Sequence, residues 1–451
     1  MLTPAEELGL SGSALASRVH KAFAAIPQAD RAALMRAVRE ESTRRHLIYL
    51  RDGELDTIHV MPCPLVVLPD QLAYLHIVSL TLQSAVKRLP EMYLKDPAVR
   101  DLLQLTPGED KWLAECWGPS LPENNPVFGR YDAVIDFTSP MWKNSLRFLE
   151  PNLSGIGGLH LVPTTERILA DVVLPVLRAN DPELRLELGA DIRDLLIQEV
   201  LEHQEVLGRP VRNLAFVEPK YAGSGPDEQE ALAHYYHERF GLKVVHADPK
   251  ELELRNGEVC HGGDPIDLAY RDYPVCDLIE LEPTGVNIEP MRVLFRENRI
   301  ISSIGAELDQ KSIFEVLTDT PLAQKYFSAD ERRFFRRHVL WTRILSDRRT
   351  ELPDGKRGEL LPYVRREHET LVLKPNRAFG GQGVVLGAAL TRKEWHQAIE
   401  KSLADKERWV VQQLASIPVS EFPVVGPDGA VHGEPFYTVM GFAPTKDGLA
   451  I

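Results

Sequence analysis

The segment Leu371-Val-Leu-Lys374-Pro-Asn-Arg-Ala-Phe-Gly380-Gly381-Gln382-Gly383-Val-Val-Leu-Gly387 constrains the chain more than any other. An apolar run of strand character ends in a lysine, a glycine loop follows, and a second apolar run closes the pattern. Glycines at 380, 381 and 383 permit positive φ and let backbone N–H groups approach anionic oxygens, while a strand-anchored Lys374 holds a positive charge in a fixed place. Together they describe a phosphate clamp, although the same residues also suit a plain hairpin turn. The loop does not match G-x-x-x-x-G-K-[ST], and its GxGxxxG spacing misses the dinucleotide fingerprint. It therefore supports neither a P-loop nor a nicotinamide site.

A second constellation lies upstream, after a Pro/Gly/Asn-rich stretch from Gly118 to Gly129. Tyr131 to Asp136 and Ser145 to Glu150 read as two strands joined by a loop. Arg130 and Asp132 open the first strand; Glu150-Pro-Asn152 closes the second, ahead of Gly155, Gly157 and Gly158. Alternate residues of an extended segment point the same way, so Glu150 and Asn152 can present two oxygens together, the hard ligands that magnesium prefers. Asp132 or Asp136 would complete the set. A strand end with solvated acids and an Asn-led turn accounts for the same residues without a metal.

Around these motifs, apolar spacing of three and four residues over 14–50 and 68–106 predicts amphipathic helices in an N-terminal layer. Residues 165–207 are predicted helical. Asn213–Val217, a turn at Gly223 to Pro226, a helix from Asp227 to Phe240 and a strand at Leu242–Val245 give the β-turn-α-β rhythm of a small parallel-sheet domain. Asp309–Leu317 and Ala329–Leu345 look helical, and Thr370–Lys374 and Trp409–Leu414 look like strands. The basic run from Arg332 to His338 reads as a helix with a solvated face. His234 and His237 lack a third metal ligand nearby in sequence, and Cys276 has no local base to make it a nucleophile.

The balance of 52 basic against 66 acidic residues gives a net charge of -14, which argues against a broad nucleic-acid or anionic-membrane surface. Any phosphate site must be local. No apolar run approaches the about eighteen residues of a membrane span, and the start, with Glu6 and Glu7, is not that of a secretory leader. Cys63, Cys116, Cys260 and Cys276 form no CxxC pair. A cytoplasmic location is expected.

The order of Arg130-Tyr-Asp132, Phe148-Leu-Glu-Pro-Asn152, a small α/β domain, Ser302-Ser-Ile-Gly-Ala-Glu-Leu-Asp-Gln-Lys311, Val372–Gly383 and Trp409-Val-Val-Gln-Gln-Leu414 resembles the circularly permuted ATP-grasp proteins related to glutathionylspermidine synthetase, over about residues 66 to 440. The resemblance implies an α/β (α+β) ATP-grasp fold, circularly permuted, with a pre-ATP-grasp-like parallel domain. It divides the chain into an N-terminal helical region (1–110), a magnesium-binding part of the core (111–165), the small α/β domain (166–290) and ATP-binding lobes (291–451). It implies an ATP-dependent carboxylate–amine ligase that forms an amide or peptide bond through an acyl phosphate. The cofactors would be ATP and Mg2+, and the substrates a small-molecule or peptide carboxylate and an amine. Asp132, Glu150 and Asn152 would bind magnesium, with Arg130 at the reacting acyl group. Lys311, opening a predicted helix, and Lys374 would contact phosphates beneath Gly380, Gly381, Gln382 and Gly383. Gln412, Gln413 and Leu414 would meet adenine, largely through backbone groups. The chain departs from the pattern at Arg271-Asp272, where relatives often carry an arginine pair, and at Ile451, short of a further element in relatives, which suggests a shortened C-terminus. A noncatalytic nucleotide-binding protein with the same fold, or a phosphotransferase, are the alternatives.

Overall fold

The computed structural model describes residues 3–221, 224–378, 380–426 and 430–451. Among them, three four-stranded sheets organise the chain.

The first sheet is antiparallel. Its centre is the expected pair Arg130–Val134 and Arg147–Asn152, connected through the short helix Trp142–Ser145. Met440–Thr445 adds to the free side of Arg130–Val134, and Gly448–Ala450 adds to that. Neither outer strand is evident in the sequence, because Gly441, Pro444 and Gly448 break the alternation that marks a strand. Packing makes up for weak propensity: Phe442 is paired with Tyr131, both are fully buried, and each lies edge-on to the Phe148 ring.

The second sheet is parallel, in the order Ile300–Ile301, Leu268–Arg271, Asn213–Val217, Lys243–Ala247. The expected β-α-β unit is there: Asn213–Val217 is followed by the helix Gln229–Phe240, which stops at Gly241 in the left-handed region (φ +67) before Lys243–Ala247. Of the turn expected between strand and helix, Gly223 lies outside the described residues, and Gly225–Pro226 pairs with Tyr49 and Leu50.

The third sheet is antiparallel, in the order Thr342–Ile344, Trp409–Gln413, Leu371–Pro375, Val385–Leu386. Two helical expectations change here. The helix expected over 329–345 ends at His338, and Thr342–Ile344 becomes an edge strand; a short apolar run has no readable period, and the sheet claims it. The helix expected over 309–317 starts only at Ile313, after the 3-10 turn Ile304–Leu308. Lys311 therefore precedes a helix rather than opening one.

One apolar cluster runs from Leu75, Leu82 and Trp112 in the early helices, through Tyr131, Phe148 and Phe314, to Phe442, so those helices and the first sheet share a core. A separate cluster around Leu371, Trp395 and Val411 fills the third sheet. Among the described residues, no helix is long and apolar enough to cross a membrane.

Candidate active site

The register of the first sheet sets Asp132 directly opposite Glu150 and Arg130 opposite Asn152. Two carboxylates facing each other across strands are mutually destabilising unless cations lie close, and this site brings them. Arg130 donates from Nε to Asp132 Oδ1 at 2.8 Å and from Nη2 to Oδ2 at 3.4 Å. Lys311 Nζ stands 3.3 Å from Glu150 Oε2, in a side chain only 9% exposed. The same ammonium donates to Ala378 O at 2.7 Å, which ties it to the stem of the glycine loop.

Lys374 comes from the third sheet, half-buried, with no ion-pair partner within 4.0 Å among the described residues. Burial pushes its ammonium below the ordinary lysine value; Glu150 opposes this, Lys311 reinforces it and Asp132 opposes it. Two lysines and two carboxylates from three separate segments thus share one electrostatic field. Asp136 is not among them: its Oδ1 accepts from Thr138 N–H, Thr138 Oγ1 and Ser139 N–H at 3.0, 2.7 and 3.2 Å, which commits it to a turn at the far end of its strand. A narrow pocket lined by Glu150, Asn152, Lys311, Asn376, Arg377 and Ala378 marks the cleft.

The glycine loop closes the hairpin between Leu371–Pro375 and Val385–Leu386. Gly380, Gly381 and Gly383 all have positive φ (+61, +73 and +71), and Gly380, Gly381, Gln382 and Gly383 are exposed. Gly383 is required twice over, since a Cβ there would come within 2.8 Å of Pro375 Cγ. Phe379, at the start of the loop, lies outside the described residues.

The strand Trp409–Gln413 links this sheet to the first. Gln412, 1% exposed, donates from Nε2 to Thr342 Oγ1 at 2.9 Å and to Leu149 O, beside Glu150, at 3.0 Å. Gln413 N–H donates to Trp341 O at 2.9 Å and Leu414 N–H to Thr370 O at 2.8 Å. Those N–H groups are engaged by backbone oxygens.

Asn376 and the Glu109–Arg377 pair are members of this region that the sequence did not single out. Arg377 reaches back to the fully buried Glu109 with two bonds of 3.0 and 2.6 Å. Asn376 lies inside the lysine–glycine motif and could have been flagged from it; Glu109, 268 residues from its partner, carries no local signal.

A second pocket opens at the carboxyl ends of the parallel strands, lined by Gly157, Phe216, Glu218, Glu228, Tyr270 and Asp272. It borders the first site, because Arg130 Nη1 donates to Gly157 O at 3.4 Å. Glu228 shapes its wall by accepting the N–H groups of Gly158, Leu159 and His160 at 3.0, 3.2 and 2.8 Å. Burial pushes the Glu228 carboxyl up to about 7 against the pull of those three donors. Gly155 can only be glycine, since a Cβ would fall 2.1 Å from Asp272 Oδ1. Arg271 is a core strut. It donates to the carbonyls of Ser302, Tyr273 and Ser303 at 2.6, 2.9 and 2.9 Å and pairs with buried Glu307 at 2.6 Å.

The donor chemistry can be tested against magnesium. Among the described residues, no group of three or more His, Cys, Asp or Glu side chains could hold a metal by itself. Asp132, Glu150 and Asn152 offer two carboxylates and an amide, which fits an ion that takes one or two carboxylates and completes its shell with water and phosphate oxygens.

The backbone is similar to that of a glutathione synthetase-like effector from Globodera pallida in apo form, with a TM-score of 0.60 and 12% identity over 92% of this chain and 89% of the other. That likeness shows the fold alone, an α+β architecture shared with that protein. Weaker likenesses, which carry no part of this assignment, are to a RimK domain ATP-grasp protein from Sphaerobacter thermophilus DSM 20745 (TM-score 0.26, 13% identity, 52% of this chain and 88% of that one) and to a protein described as a γ-glutamylcysteine synthetase from Methylobacillus flagellatus KT (TM-score 0.37, 12% identity, 80% and 87%). No protein-family model matches the sequence, and no curated protein does.

Proposed function

We propose that this chain is an ATP-dependent carboxylate–amine ligase, with the permuted order of the ATP-grasp proteins related to glutathionylspermidine synthetase. The observation that carries the proposal is the convergence of Lys311 and Lys374 on the facing carboxylates Asp132 and Glu150. Like charges brought together from separate segments cost stability, and an arrangement of both signs in one cleft suits a polyanion with its counter-cation.

An amine does not displace hydroxide from a carboxylate at useful rates, so the carboxylate must first become an acyl phosphate. Lys311 and Lys374 would offset the charge on the phosphoryl group as it passes from ATP to the carboxylate. Asp132, Glu150 and Asn152 would hold magnesium, which when bound would offset the negative charge of the phosphates. Arg130 would exchange Asp132 for the reacting acyl group and steady its oxygens as the amine adds. The exposed glycine loop would fold over the phosphates and exclude water, which otherwise hydrolyses the acyl phosphate. The amine is best placed in the pocket at the carboxyl ends of the parallel strands, where open sheets bind ligands and which Arg130 borders through Gly157.

The test is ADP formation with pooled carboxylates and pooled amines. The ligase requires both pools together and moves 18O from labelled carboxylate into inorganic phosphate. ADP with the carboxylate pool alone, and phosphorylated product without amide, would instead identify a phosphotransferase; nucleotide binding with no turnover would identify a noncatalytic protein.

A further inference from the structure

Lys374 and Lys311 are held in different ways. Lys374 sits within a ladder, paired with Val410 on the neighbouring strand. Lys311 lies between a 3-10 turn and a helix and belongs to neither; its carbonyl accepts the Phe314 N–H of its own segment at 3.1 Å, while its N–H reaches outside that segment. Two residues after Lys374, and 2% exposed, Asn376 supplies a second frame from the end of the strand that carries Lys374. Its backbone oxygen accepts the Lys311 N–H at 3.0 Å, and its Oδ1 accepts the Ser312 N–H at 2.9 Å. Its Nδ2 donates to Gln310 Oε1 at 2.9 Å and to Ser312 Oγ at 3.2 Å, while its own N–H donates to Arg408 O at 2.8 Å. Each polar group of Asn376 is used, and the three consecutive residues Gln310, Lys311 and Ser312 are all grasped. The pattern needs one acceptor and one two-hydrogen donor on the same short side chain, which only an amide supplies at this length.

We infer that Asn376 is a positioning residue that sets Lys311 against Lys374 and thereby fixes the spacing of the two charges in the cleft. The inference rests on the proposed nucleotide role of the lysines for its functional consequence, but the tether itself can be tested apart from it. The alternative is that Asn376 only satisfies buried polar groups, in which case both lysines would respond alike to its loss.

The experiment is site-resolved acylation of lysines by acetic anhydride, read by mass spectrometry on the full chain, with ATP titrated calorimetrically in parallel. In Asn376→Ala, Lys311 is expected to label about tenfold faster than in the unsubstituted protein, while Lys374, held by its ladder, changes less than about twofold. Mg-ATP affinity falls by about tenfold in the same variant. Gln310→Ala loosens the tether from the Lys311 side and gives the same selectivity, so it serves if Asn376→Ala does not fold. Unchanged Lys311 labelling in a folded variant, or equal acceleration of both lysines, overturns the inference whatever ATP does. Failure of the unsubstituted protein to bind ATP, with Lys311 still selectively released, overturns the nucleotide reading and leaves the tether standing.

Discussion

Lys374 carries its ammonium half-buried, without an ion-pair partner among the described residues, and burial lowers its pKa from 10.5. A bound triphosphate would favour the charged form and push that pKa back up, so nucleotide binding should take up protons at alkaline pH, between the lowered value and 10.5. Calorimetry at a series of alkaline pH values below 10.5, in two buffers of different ionisation enthalpy, should show this uptake, and Lys374→Arg, which stays charged, should lose most of it. Equal heats in both buffers for the unsubstituted protein would contradict the assignment of Lys374 to the phosphates. The residues legible in the sequence at this scale were those inside compact motifs: Lys374 before its glycines, and Glu150 and Asn152 two apart on one strand. The partners that fix them were not. Lys311 meets Glu150 and Ala378, and Arg377 meets Glu109, across separations that no local pattern encodes.

At the scale of elements, a hairpin or a β-α-β unit could be read where turn residues and alternation agree, as in Arg130–Asn152 and Asn213–Ala247. The strands Met440–Thr445 and Thr342–Ile344 escaped because tertiary pairing rather than propensity creates them. The helix that ends at His338 shows what such a junction requires. His338 is 1% exposed, meets Tyr74 Oη at 2.8 Å through Nε2 and faces Leu146 O at 3.3 Å through Nδ1, so it joins the helices Pro69–Lys87 and Ala329–His338 to the first sheet. Burial lowers its pKa from 6.5 to about 4, helped by Arg337 and Arg147 and opposed by the bond to Leu146. The imidazole is therefore buried neutral, and the unfolded chain takes up the proton first as pH falls. Stability from His338 is complete above 6.5 and is lost progressively down to about 4, at most about 3 kcal/mol for a shift of that size. Urea melts at about pH 7 and about pH 4.5 should show a smaller loss for His338→Gln than for the unsubstituted protein; equal losses would mean that His338 does not titrate with folding.

For the whole molecule, a net charge of -14 coexists with one cleft where cations converge, so the excess of acid does not preclude a local anion site. The expected mixture of helices and sheets is present as an α+β architecture, while the permuted order of the motifs belongs to the proposal. How the motifs assemble was hidden: the first sheet joins residues 130–152 to 440–450, and Gln412 fastens the third sheet to Leu149, next to the proposed magnesium strand. The substrate pair was equally hidden, since strand ends, a helix and loops far apart in sequence together line the pocket beside Arg130, and no local pattern encodes such a set. The proposed function requires that Mg-ATP bind in the cleft between the first and third sheets. Calorimetric titration of ATP, with and without magnesium, into the unsubstituted protein, Lys374→Ala and Glu150→Ala tests it directly. The unsubstituted protein should bind in a magnesium-dependent way, Lys374→Ala should lose about tenfold or more in affinity, and binding by Glu150→Ala should no longer respond to magnesium. Absence of binding by the folded, unsubstituted protein at roughly millimolar ATP would contradict the proposed function.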